Sequence, residues 1–413
     1  MADFHQNGNI AQFHNLRTRP IEEMIHELET FSQNRRITLI LPSLFSELEG
    51  PALGNIIDEL SRVRYLHRII IGLDKADEEQ FRIARGVFSK LPQQHQIIWN
   101  SSPRMLAFWD KLDLLGIGPV EAGKGKNVWT CLGYLLSCAD TDVMAIHDCD
   151  ITTYQQEMLA RLVYPVANPS FPYQLSKGFY PRVDTEKLNG RATRLLVSPL
   201  LIALKKVIGD RDYLDYLRSF RYPLSGEFAL RAAFLPDIRI PSDWGLEIGV
   251  LSEVWRNMAP QAVCQVEIAD AYDHKHQPVS EEDAAGGLNR MSTDICKAIF
   301  RKLAADGTVF TPNVFRTLKA TYYRRALDLI ETYDHDAKMN GLTLDRHAEE
   351  KAVELFAENI MTAGEIFLKT PNESPFIPNW NRVNAANPDL LSELNSIVAS
   401  DEADYSPIQA TPD

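Results

Sequence analysis

The sequence predicts an α/β protein built on a doubly wound, mostly parallel sheet. The first sign is a set of short apolar runs, Ile37–Leu44, His67–Leu73, His95–Trp99 and Asp142–Ile146. The second is the helix-like stretches between them, such as Asn55–Arg64 and Glu78–Leu91. Near-continuous apolar strands alternating with amphipathic helices are what a buried parallel sheet requires, because helices cover both of its faces. The third is a change of texture near residue 285, after which Ser292–Ala305, Pro312–Tyr333 and Asp345–Lys369 show helical periodicity. In open sheets of this kind the ligand site lies at the carboxyl ends of the strands. The loops after Leu41, Gly72 and Ile146 are therefore the places to search.

Taken in order, residues 1–35 read as a helical segment centred on the amphipathic stretch Ile21–Phe31, and residues 36–285 as the sheet domain. Residues 286–386 read as a helical extension. Thr311 is its expected N-cap and Pro312 its first helical residue in the middle helix. An apolar stripe of Leu355, Phe356, Ile360, Met361 and Phe367 is expected to pack on the sheet domain or on a second subunit. Residues 387–413 carry six acidic residues, no basic ones and three prolines, and read as an acidic flexible tail.

A length of 413 residues allows two or three domains, and a hydrophobic fraction of 45% excludes wholesale disorder. Forty-three Lys+Arg against 56 Asp+Glu leave a net charge of −13, which repels a phosphate backbone and argues against nucleic acid as a partner. No apolar run approaches the about 18 residues of a membrane span, and Met1–Pro20 is too polar for a secretory leader. Five cysteines, an odd number without a CxxC pair, fit reduced thiols in a cytoplasmic protein rather than a disulfide framework or zinc site.

Several segments carry chemistry. The apolar strand ending at Ile146 runs into Asp148 and Asp150. Carboxylates two apart on an extended segment project to one side and can share a hard divalent ion such as Mg²⁺ or Mn²⁺ with a diphosphate. A polar turn closing a buried strand gives the same pattern. Gly123-Lys-Gly-Lys-Asn127 precedes a helix, and glycines, free N–H groups and a lysine together suit a phosphate. Extended back to Gly118, this loop nearly meets the P-loop pattern, but Gly125 stands where a Ser or Thr hydroxyl is required, and Trp109–Gly116 does not read as the preceding strand. Glu227 and Glu247 each sit beside glycines, where a carboxylate can hold a sugar hydroxyl or cap a helix start. His274 and His276 follow the strand-like Val263–Ala269 into a loop, as metal ligands or as solvated polar groups, and His147 is expected to point away from Asp148. Arg191 and Thr193, at a turn-to-helix junction, can bind a phosphate or carboxylate.

In order, the segments LPSLFSE (41–47), GKGKNVW (123–129), HDCDI (147–151), KGFYPRV (177–183), GRATRLLVSPLLIAL (190–204), YPLSGEFALR (222–231), WGLEIGVL (244–251) and DHKHQPV (273–279) resemble the glucosyl-3-phosphoglycerate synthases, retaining glycosyltransferases of the GT-A fold. The resemblance spans residues 37–285 and implies a UDP- or GDP-glucose donor, 3-phosphoglycerate as acceptor and a divalent cation, with a homodimer as the expected assembly. Asp150 and His274 match the metal ligands, with Asp148 beside them near the donor's ribose. Lys124 matches the lysine on the donor diphosphate. Pro42, Ser43 and Leu44 match the segment round the base, with Glu47 or Glu49 as the donor-site glutamate. Arg191, Thr193 and Gly226 match acceptor contacts, and His276 stands where an asparagine helps hold the acceptor phosphate. Glu247 matches a carboxylate on the transferred sugar. The turn Gly72–Asp77 departs from the family's Ser/Gly-rich pattern. With no evident nucleophile, front-face transfer is expected, a covalent adduct on Glu227 being the alternative. A transferase for GDP-mannose or glycerate, a P-loop ATPase or kinase, and a silent nucleotide-sugar binder are the competing functions.

Overall fold

Strands β1 (Ala11–Phe13), β2 (Ile37–Leu44), β3 (Leu66–Asp74), β4 (His95–Trp99), β5 (Val143–Ile146), β6 (Leu175–Phe179), β7 (Phe228–Arg231) and, beyond the two-residue β8 (Ile240–Pro241), β9 (Val263–Glu267) define the fold. All but β8 form one sheet in the order β1-β9-β6-β7-β5-β2-β3-β4, while β8 pairs with β10 (Phe376–Ile377). This computed structural model describes residues 6–118, 123–184, 186–273, 281–371 and 376–408. The four predicted strands fall within one residue of β2 to β5. Their lack of polar alternation has the expected cause. Ile40, Ile70, Ile98 and Ile146 join one apolar core while Leu39, Leu41, Ile71 and Ile97 join another on the opposite face. Helices α1 (Ile21–Ser32), α2 (Phe45–Leu48), α3 (Pro51–Ser61), α4 (Glu78–Phe88), α5 (Pro103–Leu114), α6 (Lys124–Cys138), α7 (Gln156–Ala167), α8 (Ser198–Ile208), α9 (Asp212–Ser219) and α10 (Leu246–Asn257) pack round the sheet.

Among the described residues of this eight-stranded sheet, β7 alone runs against its neighbours: it is antiparallel to both β5 and β6, whereas the other pairs in this sheet are parallel. Its first residues therefore lie at the same edge as the last residues of β5. That reversal puts three distant sequence motifs together.

Three long helices follow, α11 (Glu281–Ala305), α12 (Pro312–Met339) and α13 (Arg346–Lys369). Thr311 accepts the Val314 N–H at 3.3 Å with Pro312 next, as expected. Phe356, Ile360 and Phe367 are buried in the same core as α8, and the Tyr322 hydroxyl donates to the Leu195 carbonyl at 2.6 Å. Met361 packs at the edge of that core and Leu355 is half-buried, so most of the apolar stripe is covered within the chain. No described helix is long and apolar enough to cross a membrane.

Two expectations are corrected. Residues 1–35 are not only helical, because Ala11–Phe13 adds a strand parallel to β9. Nor is the whole acidic end a flexible tail: α14 (Trp380–Ala386) is followed by α15 (Leu390–Asp404), which buries Leu390, Leu394, Ile397 and Val398. Their spacing makes a helical face, and the acids that suggested a solvated tail meet cations elsewhere. Asp401 pairs with Arg104 at 2.8 Å, and Glu393 with Lys111. Residues 409–413 of the predicted tail lie outside the described residues. Leu394→Ala is expected to cost about 2–5 kcal/mol, read as a lower Tm in a chain whose kcat at room temperature is retained. An unchanged Tm would mean that α15 is not held in the core.

Candidate active site

The register of β5 against β7 pairs Ile146 with Phe228, so the loop carrying Asp148 and Asp150 faces the turn Ser225-Gly226-Glu227. Gly226 leaves no room there. A Cβ on it would lie 2.6 Å from Asp148 Oδ2 and 3.1 Å from Lys124 Nζ. Lys124 arrives from another direction, as the first residue of α6 behind Gly123. Its Nζ lies 2.6 Å from Asp148 Oδ1 and 3.6 Å from Glu247 Oε1. Glu247 occupies the first turn of α10, the helix start that its glycine neighbours predicted. Three candidates from separate motifs, Asp148, Gly226 and Glu247, thus converge on the Lys124 ammonium group. Gly226→Ala is expected to lower kcat by at least about 100-fold, the scale of one displaced electrostatic contact, with Tm shifted little; wild-type turnover in that variant would place Gly226 outside the site.

Burial works against the charge on Lys124, but Asp148 and Glu247 outweigh it and hold the ammonium well above its ordinary pKa. The carboxylates show the opposite strain. Asp150 is pushed up to about 7 by burial and by the neighbouring Asp148 and Glu47, with Lys124 offsetting part of the effect. Burial and Asp148 likewise raise Glu47 to about 7, although the Leu44 N–H and the Ser43 hydroxyl, both 3.0 Å away, donate to its Oε2. Glu47, not the exposed Glu49, therefore turns back on the Pro42–Leu44 end of β2.

Crowded acids of this kind fit a divalent cation, since hard oxygen ligands gathered against their own repulsion are stabilised by it. Among the described residues no three ligand-type side chains close round one point. His274, the third ligand implied by the resemblance, lies outside the described residues, as does His276. The P-loop reading loses its geometry. The element before the glycine loop is helix α5, and a Cβ at residue 125 would sit 2.0 Å from the Pro241 carbonyl oxygen, which leaves no place for the required hydroxyl.

Glu227 lies immediately before strand β7 rather than at a helix start. It is fully buried, and three hydroxyls donate to it: Tyr272 to Oε1 at 2.7 Å, Ser225 to Oε2 at 3.0 Å, and Tyr180 to Oε2 through a short bond. The rings of Tyr180 and Tyr272 stack at 3.8 Å. Lys177, which sequence reasoning passed over, is also buried and donates from Nζ to the Ser225 carbonyl, holding the turn that presents Gly226. Burial lowers its pKa to about 8 against the pull of Glu247 and Glu227. The available signal was a lysine inside the apolar strand Leu175–Phe179. His147 is buried against Tyr154, neither ring nitrogen makes a hydrogen bond among the described residues, and burial lowers it to about 4.

The acceptor candidates lie on a loop tied to this tyrosine cluster. The Asn189 N–H donates to the Arg182 carbonyl at 2.7 Å, and Arg182 Nη1 donates to the Tyr222 hydroxyl at 3.2 Å. Gly190 takes φ +79°, a left-handed conformation that glycine adopts without strain, and a Cβ there would crowd Arg182. A π-helical turn, Ala192–Val197, follows. Thr193 is buried, and its hydroxyl makes no hydrogen bond among the described residues. Arg191 is 45% exposed, and its Nε donates to Glu349 Oε1 at 2.6 Å.

No family model matches the chain. The glucosyl-3-phosphoglycerate synthase of Persephonella marina is 45% identical over 98% of this chain and 100% of its own. That of Methanococcoides burtonii is 34% identical over 93% and 95%. Among solved structures, the Mycobacterium tuberculosis enzyme in complex with Mn²⁺, UDP and glucosyl-3-phosphoglycerate aligns with a TM-score of 0.51 at 22% identity, covering 71% of this chain and 87% of that one. With near full-length identity of this order and the mixed sheet above, the chain belongs to the glucosyl-3-phosphoglycerate synthases, glycosyltransferases of the GT-A fold.

Proposed function

We propose that the chain moves glucose from a nucleoside diphosphate to the C2 hydroxyl of 3-phosphoglycerate, with retention of configuration and with Mg²⁺ or Mn²⁺ bound at the acidic pair. The observation that carries this reading is the junction at Lys124, whose ammonium is shared by Asp148 and Glu247 and packed against Gly226. In this reading the base and ribose lie along Pro42, Ser43, Leu44 and Glu47, the diphosphate meets Lys124, and Glu247 holds the sugar. Asp150 and Asp148, with His274, would hold the cation, which when bound would offset the charge of the diphosphate.

Breaking the bond from glucose to phosphate puts negative charge on the departing oxygen. Lys124, fixed in place before the reaction, stabilises that charge without reorganising. The acceptor oxygen attacks on the face that the diphosphate leaves, and its proton passes to the departing phosphate oxygen. Glu227, with hydroxyl donors on both oxygens, acts as a positioning group that locks the Ser225–Gly226 turn rather than as a nucleophile. Arg191, Thr193 and Gly226, with His276, border the acceptor.

The test is a panel of UDP-glucose, GDP-glucose and GDP-mannose against 3-phosphoglycerate and glycerate, each with Mg²⁺, Mn²⁺ or EDTA, followed by mass spectrometry. Glucosyl-3-phosphoglycerate is expected with either cation and not in EDTA. Equal use of glycerate, or full turnover in EDTA, would overturn the acceptor or the cation assignment respectively.

A further inference from the structure

We propose that Glu349, in the first turn of α13, is a positioning residue of the acceptor site, aiming the Arg191 guanidinium at the acceptor's phosphate. The inference rests on the reading of Arg191 as an acceptor contact and extends it to the C-terminal helices.

Glu349 is 2% exposed, and its two oxygens serve two arginines. Oε1 accepts from Arg191 Nε at 2.6 Å, and Oε2 lies 2.9 Å from Arg194 Nη1. Arg194 is fixed independently: its Nε donates to the Asn189 carbonyl at 2.7 Å and its guanidinium lies 4.8 Å over the Tyr333 ring of α12. A buried carboxylate left unpaired is costly, so the pairing is held tightly. Two guanidiniums against one carboxylate leave the cluster net positive, as a phosphate site needs. Arg191 is held through Nε, and its two terminal nitrogens make no hydrogen bond among the described residues. Those nitrogens form a planar fork suited to phosphate oxygens.

The same helices grip the loop at further points. The Thr343 N–H, between α12 and α13, donates to the Glu186 carbonyl at 2.7 Å, and the Tyr322 hydroxyl of α12 holds the Leu195 carbonyl. The π-helical turn between them carries Thr193, whose buried hydroxyl makes no hydrogen bond among the described residues. Turns of this kind recur at functional sites. The C-terminal extension is in this view a wall of the acceptor site.

The experiment varies acceptor at saturating donor, and donor at saturating acceptor, for Glu349→Gln, Arg191→Ala and the double variant. Loss of one charge-assisted bond predicts an acceptor KM raised about 10-fold or more in Glu349→Gln, with donor KM unmoved and kcat within about twofold. In the Arg191→Ala background the same change should add less than about twofold, because its effect passes through Arg191. An unmoved acceptor KM in Glu349→Gln, an equal rise for donor and acceptor, or full additivity on Arg191→Ala overturns the proposal. If Arg191→Ala itself leaves the acceptor KM unchanged, the acceptor reading of Arg191 fails instead. Glu349→Asp, which keeps the charge but draws it back by one methylene, serves should the amide variant not fold. It too must raise the acceptor KM selectively, and an unchanged value in it overturns the proposal.

Discussion

Asp150→Asn is expected to lower kcat by about 100-fold or more while making the cation-free protein more heat-resistant at pH 8. Both effects come from one source. Burial, Asp148 and Glu47 together push Asp150 up to about 7 in the folded chain, whereas an unfolded aspartate titrates near about 4. Between those values the folded state binds more protons than the unfolded one. Stability of the cation-free protein therefore falls as pH rises from about 4 to about 7, and levels off above. The amide removes that penalty along with a ligand. Melting curves in EDTA at pH 5 and pH 8 check this, with wild type losing more Tm between the two than the variant. A variant that is fully active, or less stable than wild type at pH 8 in EDTA, would refute the shared-cation account of this acidic pair.

Lys124→Ala is expected to reduce glucosyl transfer by about 100- to 1,000-fold, the range seen when one preorganised donor to a developing charge is removed. Asp148 and Glu247 lose their shared ammonium, 2.6 and 3.6 Å away, and the cation should then bind at least as tightly as before. Turnover measured against Mn²⁺ concentration therefore separates the two roles: kcat falls while the half-saturating Mn²⁺ does not rise. Weaker Mn²⁺ binding with kcat preserved would make Lys124 a structural partner of the acids and nothing more. Lost ATP hydrolysis in the same variant, with sugar transfer intact, would revive the P-loop alternative that Gly125 argues against.

The legibility of this chain follows the range of the forces involved. The central strand at Ile37–Leu44 could be read residue by residue, because a strand buried on both faces is apolar along most of its length, whereas the edge strand His95–Trp99 was legible from its buried end, Ile97–Trp99. The acidic pair, the glycine–lysine loop and the Glu247 helix start were readable for a similar reason: each states its chemistry within a few residues. Of the two readings open to Glu227 the helix start fails, since a carboxylate beside a glycine is equally suited to the turn before a strand when Tyr180, Tyr272 and Ser225 supply its donors from 47, 45 and 2 residues away. The end of the chain misled in the same way. Asp401 and Glu393 look solvated until Arg104 and Lys111, 297 and 282 residues earlier, are seen to meet them.

What the sequence alone determined is the α/β class, the edge of the sheet where a ligand must lie and the residue types that could serve it, because hydrophobic period and local backbone chemistry are short-range properties. What only the tertiary structure decided is which of those groups share a charge. Antiparallel β7 brings Gly226 against Asp148, α6 delivers Lys124 between two acids, and α13 inserts Glu349 behind Arg191. Electrostatic interaction depends on separation in space and on burial, and neither can be read from separation along the chain.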